Sequence, residues 1–167
     1  MTGAALSTQR GWCTFEVCGR DYAVDVASVQ EVLRAQPLTR VPGAPPAWTG
    51  LLNLRGRIVP AVDLRVLFGV APERAPAAGG ALVVVRSGEG PLALGVDAIG
   101  DVHRGADTRL EPWPEAGGER GGPDAALFAG VLAAAERLIG VLDLERVVER
   151  AFERPASASR RTPGDPS

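Results

Sequence analysis

At 167 residues the chain has room for about one domain with some tail to spare, and for a core that needs no metal or disulfide staple. It has one His (His103), two Cys and no Lys, all 18 basic residues being Arg, so a His-rich or Cys-rich metal site, a P-loop and a Schiff-base lysine are excluded by count. A net charge of −2 offers no basic field to nucleic acid or to an anionic membrane surface.

In chain order, residues 1–11 read as a flexible leader without the apolar run of a signal peptide. No later stretch approaches the ~20 apolar residues that span a bilayer, so a cytoplasmic protein with no direct membrane insertion is expected. Alternation of Phe15 and Val17, then of Tyr22, Val24 and Val26, predicts a hairpin over 12–18 and 22–27. Cys13 and Cys18 fall on opposite faces of its first strand and are not expected to pair. Val29, Val32 and Leu33, behind the capping-box pattern Ser28-x-x-Glu31, predict a short helix over 28–34 that ends before Pro37. The PGAPP run at 42–46 is a rigid loop. Residues 50–62 predict two strands hinged at Arg55-Gly56-Arg57, and Asp63 caps a short helix, Leu64–Phe68, stopped by Gly69. A linker over 71–80 leads to strands at 81–86 and 92–97. Residues 105–124, with five Gly and three Pro, predict a long loop in which Trp113, between Pro112 and Pro114, reads as disordered, with a partner contact as the alternative. Strands at 126–134 and 137–142 follow, then a helix from Asp143 to about Glu153 and a tail, 154–167, disordered by composition.

The chain also repeats itself. GLLNLRGRIVPAVDLRVLF (50–68) aligns without gaps on GVLAAAERLIGVLDLERVV (130–148), with Gly50/Gly130, Leu52/Leu132, Arg57/Arg137, Asp63/Asp143 and Leu64/Leu144 identical. YAVDVASVQEVLR (22–34) aligns on LALGVDAIGDVHR (92–104). Two similar lobes, about 12–70 and 81–150, are implied, with strands free to cross between them, and short strands at this spacing suggest small barrels. What both lobes keep reads as fold; what one lobe has alone reads as function. The hairpin tip Asn53-Leu54-Arg55-Gly56 faces Ala133-Ala134-Ala135-Glu136 in its copy, so the fold does not require Arg55.

Val29-Gln30-Glu31-Val32, Thr39-Arg40-Val41-Pro42 and above all the run Asn53-Leu54-Arg55-Gly56-Arg57-Ile58-Val59-Pro60-Ala61-Val62-Asp63-Leu64-Arg65 resemble the CheW family of bacterial chemotaxis coupling proteins. Leu94-Gly95-Val96-Asp97 and Gly140-Val141-Leu142-Asp143-Leu144 fit as well, and the resemblance covers about residues 12–150. It implies an all-β fold with a few short helices: two SH3-like five-stranded barrels, the duplicated lobes, around a shared core. It implies no catalytic activity and no cofactor. The implied partners are the regulatory domain of the histidine kinase CheA, the cytoplasmic tips of chemoreceptors, and other CheW-like domains, in receptor arrays at the inner membrane. With no room for a kinase or receiver domain, the chain is expected to be the stand-alone form. The long 105–124 loop leaves a divergent gliding or pilus-control module as the alternative, one that assembles with CheW-like domains without binding receptors.

The expected partner-binding residues are Val29, Glu31, Asn53, Arg55, Gly56 and Val84. Arg55 leads, because a planar multi-donor guanidinium suits an interface hot spot. Glu31 is explained equally by the capping box, and a Glu31–Arg55 ion pair is expected to orient the interface. Val83, Val84 and Val85 read first as core strand; alternation sets Val84 apart from the other two, and one face is a second candidate, the lining of a groove that receives a receptor helix. Asp63, Asp97 and Asp143 read as a hydrolase's carboxylates only weakly: two are equivalent helix caps and no nucleophile–base pair accompanies them. His103 lacks co-ligands and reads as structural or surface.

Overall fold

The computed structural model describes residues 10–69, 80–104, 109–114, 124–134 and 136–153. The expected leader, the 71–80 linker, most of the 105–124 loop, Ala135 and the tail from 154 lie outside the described residues. The strands are β1 (Gly11–Val17), β2 (Arg20–Asp25), β3 (Val29–Arg34), β4 (Trp48–Leu54), β5 (Arg57–Asp63), β6 (Ala81–Ser87), β7 (Gly90–Val96), β8 (Ala98–Arg104), β9 (Leu110–Glu111), β10 (Phe128–Ala134) and β11 (Arg137–Leu142). The helices are α1 (Leu64–Leu67) after β5 and α2 (Leu144–Phe152) after β11.

The strands make a six-stranded sheet, β8-β1-β2-β11-β10-β9, and a five-stranded sheet, β3-β6-β7-β5-β4. Placed over one another, the two orders are the duplication in three dimensions, with β3, β6, β7, β5 and β4 answering to β8, β1, β2, β11 and β10. The halves are exchanged. The β1–β2 hairpin joins the second repeat's β11 through a parallel pairing, Gly140 with Tyr22 and Val141 with Ala23. Reciprocally, β7 of the second repeat runs parallel to β5 of the first, Ala61 opposite Ala93. Neither sheet is therefore built from one contiguous half of the sequence.

The helix expected over 28–34 is absent: residues 29–34 are a strand. A single 3-10 turn, Val26–Ser28, capped by Asp25 (Oδ1 accepts from Ala27 N–H, 2.9 Å), hands straight over to β3. In β3, Val29, Glu31 and Leu33 are half-buried while Gln30, Val32 and Arg34 are exposed, the period of a strand. Six residues with two valines gain too little from isolated helix formation to compete with the antiparallel ladder to β6, Leu33 opposite Leu82. Residues 98–104, the copy of β3, form β8 for the same reason. The terminal caps match expectation: Asp63 accepts from Arg65 N–H (2.9 Å), and Asp143 from Glu145 N–H (3.1 Å) and Arg146 N–H (3.3 Å).

Burial divides into three layers. A shared core between the sheets holds Phe15, Val17, Tyr22, Val24, Val62, Leu64, Phe68, Val83, Val85, Leu92, Leu94, Phe128 and α2's Val147 and Val148. Inside the five-stranded sheet sit Leu52, Val59, Ala61, Leu82, Val84 and Ala93. Inside the six-stranded one sit Trp12, Ala23, Leu132, Ile139 and Val141. Strands β6 and β7 are buried on both faces, which explains their continuous apolar runs. Trp48 ties the layers across repeats: its Nε1–H donates to the Ala151 carbonyl of α2 (3.0 Å) and its ring meets Phe152 edge-on.

Trp113 is packed. Its ring stacks on Phe128, centroids 4.2 Å apart and planes 16° off parallel, and Phe128 in turn meets Tyr22 and Phe68. The prolines on either side hold the backbone extended so that a ring inside a Gly-rich segment reaches the shared core. Trp113→Ala is expected to cost about 2 kcal/mol, less than full core truncation because the ring is only half-buried. Chemical denaturation checks this; a loss within 0.5 kcal/mol would show the stack to be incidental.

Candidate partner-binding site

The two edges of the five-stranded sheet are brought together beyond β3, where Thr39 bridges to Leu51 of β4. Leu33 of β3 and Leu54 of β4 both pack on the interior cluster, and at the rim Arg55 Nη2 lies 3.2 Å from Glu31 Oε1. The sheet has rolled into a barrel, and the expected ion pair closes its seam. Its Arg side chain is 80% exposed and its Glu 27%. Glu31 makes no capping box; with Asp25 capping the preceding turn, the Glu31 carboxylate is free to reach Arg55.

Arg55 and Gly56 form a two-residue turn, flanked by the Leu54–Arg57 pair, in which both residues have positive φ, 50° and 79°. Asn53 closes it: Oδ1 accepts from Gly56 N–H at 3.1 Å. Glu31, Asn53, Arg55 and Gly56 are thus gathered at one rim. Val29 stands apart, half-buried against the shared core at a register shift in the β3–β6 ladder. Val84 is fully buried (0% exposed) inside the barrel. It does face away from Val83 and Val85, but the face it occupies is the barrel interior rather than a groove, so no partner reaches it. Beside this rim two apolar residues are exposed, Val32 on β3 and Ile58 on β5, opposite Asn53. Their copies, Val102 and Leu138, are exposed as well. An apolar residue kept in both repeats reads as core from sequence.

The three aspartates have separate tasks. Asp63 caps α1 and holds Arg65, accepting from Nε (3.2 Å) and Nη2 (2.9 Å), with both side chains nearly enclosed. That bond, outweighing burial, raises the Arg65 pKa and keeps the guanidinium charged. Asp97 Oδ2 accepts from Cys18 N–H (2.7 Å), pinning the β1–β2 turn. Asp143 caps α2. Burial pushes the Cys13 thiol up, and burial together with the Asp97 charge does so at Cys18, so neither is primed as a thiolate. Cys18 sits in the turn and Cys13 inside the sheet, and both are free. Among the described residues no group of three His, Cys, Asp or Glu side chains is placed to hold a metal ion, and no helix is long and apolar enough to cross a membrane. His103 is half-buried in β8 beside Trp12.

The model of the CheW-like domain matches residues 12–152. The chain belongs to the CheW-like family. A probable chemotaxis protein CheW of Rhizobium etli is 29% identical over 131 residues, 78% of this chain and 82% of that one. CheW of Rhizobium meliloti is 28% identical over 150 residues (88% and 94%), and CheW of Bacillus subtilis 27% over 153 (92% and 96%). The crystal structure of the scaffolding protein TtCheW from Thermoanaerobacter tengcongensis superposes with a TM-score of 0.74 at 24% identity, covering 86% of this chain and 90% of that one. The two exchanged barrels are therefore the CheW fold. The chain is a chemotaxis coupling adaptor, and the gliding or pilus-control alternative is not favoured.

Proposed function

We propose that this CheW-like chain binds the regulatory domain of the histidine kinase CheA through one surface and the cytoplasmic tips of chemoreceptors through another. It performs no chemistry of its own. It works in the cytoplasm, recruited to receptor arrays at the inner membrane, and raises the effective concentration of kinase at receptor. The reading is supported above all by Arg55, an arginine absent from the second repeat, held outward at the barrel seam by Glu31. Around it, Asn53 and Gly56 shape the turn and Val29 carries the start of β3.

The experiment is co-elution of the chain with a CheA regulatory domain and co-sedimentation with receptor-containing membranes. Both should occur. Arg55→Glu, which puts two carboxylates together at the seam, should weaken kinase binding at least about tenfold with the melting temperature within about 2 °C of the parent. Kinase binding without receptor sedimentation would make the chain an assembly-only module. Intact binding by a destabilised Arg55→Glu variant would remove the seam from the interface.

A further inference from the structure

We propose that Asn53 is a positioning residue for Arg55, and that the β4–β5 turn gives up stability to hold Arg55 where a partner meets it; this rests on the adaptor reading above. Positive φ at two consecutive turn residues is the signature of a type I′ hairpin. At its second position Gly56 (φ 79°) is at ease. At the first, Arg55 (φ 50°) is not, because a Cβ in the left-handed region is crowded by its own backbone, and such turns prefer Asn, Asp or Gly there. The β1–β2 turn repeats these angles at Cys18 (51°) and Gly19 (77°). The geometry therefore belongs to the fold and makes no demand for arginine.

Nor does the ion pair with Glu31 account for the choice. With its Arg side chain 80% exposed, a pair of this kind contributes little to folding. A strained, outward arginine that the folded chain does not need is one whose use lies outside the chain. Asn53 spends its side chain on the same turn. Its Oδ1 takes the Gly56 N–H (3.1 Å), which fixes the direction in which Arg55 leaves the barrel. In the second repeat the equivalent residue is Ala133, at a tip with no arginine at the Arg55 position.

The test uses the whole chain with Asn53→Ala, Asn53→Asp and Arg55→Asn, reading affinity for the CheA regulatory domain and melting temperature together. Asn53→Ala should weaken binding about tenfold while the melting temperature falls by no more than about 4 °C. Asn53→Asp keeps the acceptor for Gly56 N–H and should bind within about twofold of the parent. Arg55→Asn supplies the residue pair such turns prefer; binding should disappear while the melting temperature holds or rises by about 2–4 °C. Unchanged affinity in Asn53→Ala would show that the turn holds itself. A loss in Asn53→Asp as deep as in Asn53→Ala would make the carboxamide a direct contact. Either result overturns the positioning role. A clear drop in melting temperature for Arg55→Asn overturns the strain. If the unsubstituted chain fails to bind the kinase domain, the adaptor reading falls and this inference with it; binding by the parent with an insensitive Asn53 series overturns this inference alone.

Discussion

Asp63→Ala is expected to lower the free energy of unfolding by about 3 kcal/mol, and Asp143→Ala by only about 1 kcal/mol, although the two aspartates are copies of one another and cap equivalent helices. The shared part of the cost is the cap. Each carboxylate accepts from the backbone N–H two residues on, and losing that acceptor typically costs about 1 kcal/mol. The difference is the residue two places on. After Asp63 comes Arg65, which folds back so that Nε and Nη2 both donate to the carboxylate, with the two side chains only 11% and 13% exposed. Its copy after Asp143 is Glu145, which leaves its own cap and accepts instead from Gly88 N–H (2.9 Å) at the β6–β7 turn. Removing Asp63 therefore strips a nearly enclosed guanidinium of its main counter-charge, which is far costlier than losing an exposed pair. Denaturant unfolding of the two variants side by side decides it. Equal losses would mean that Arg65 finds compensation at no cost. A second variant separates the parts: Asp63→Asn keeps an acceptor for the cap and removes only the charge, so it should recover about 1 kcal/mol of the loss.

How much of this was legible in the sequence depended on the range of the interaction concerned. The caps at Asp63 and Asp143 and the stop at Gly69 are decided within a few residues, and they read correctly, while the first hairpin's tip, expected at 19–21, falls at Cys18 and Gly19. The duplication was legible because the copies share a register, and the family resemblance turned it into barrels. Strands were free to cross between the lobes, but which ones do was not legible, since the parallel pairings of β2 with β11 and of β5 with β7 join segments that carry no local mark of one another. Residues 28–34 misled because i, i+3, i+4 spacing in so short a window fits either period, and the deciding term is the ladder to β6. Trp113 misled because composition describes its neighbours and not the Phe128 ring it reaches. At the site, Arg55 was singled out by what one repeat has that the other lacks, and Glu31 by the family resemblance, its copy Asp101 being acidic as well. Val84 was lost because alternation tells which residues share a face but not what covers that face.

Gly130→Ala is expected to cost about 3 kcal/mol or more, and Gly50→Ala slightly less, although both glycines lie at strand positions where alanine is ordinarily tolerated. They are identical in the two repeats, and each sits at a register shift in its hairpin, between Trp48 and Gly50 in one and between Phe128 and Gly130 in the other. At both points the chain arriving from the preceding edge strand crosses directly over the glycine. Thr39 bridges to Leu51 in the first repeat, and β9 pairs with Val131 and Leu132 in the second. A Cβ on Gly50 would stand 2.7 Å from the Thr39 carbonyl oxygen, and one on Gly130 only 2.3 Å from that of Glu111. Backbone atoms held in a ladder cannot swing aside as a side-chain tip can, so either the crossing segment lifts or the bulge collapses. Positive φ values of 153° and 159° add strain for any residue with a Cβ. In the second repeat the displaced segment ends two residues before Trp113, whose ring stacks on Phe128. Gly130→Ala should therefore shift tryptophan emission to longer wavelength while the chain is still folded. Losses below about 1 kcal/mol for both variants would show that the crossing segments yield freely. A Gly130→Ala variant that is destabilised but unchanged in emission would detach the β9 crossing from the Trp113 stack.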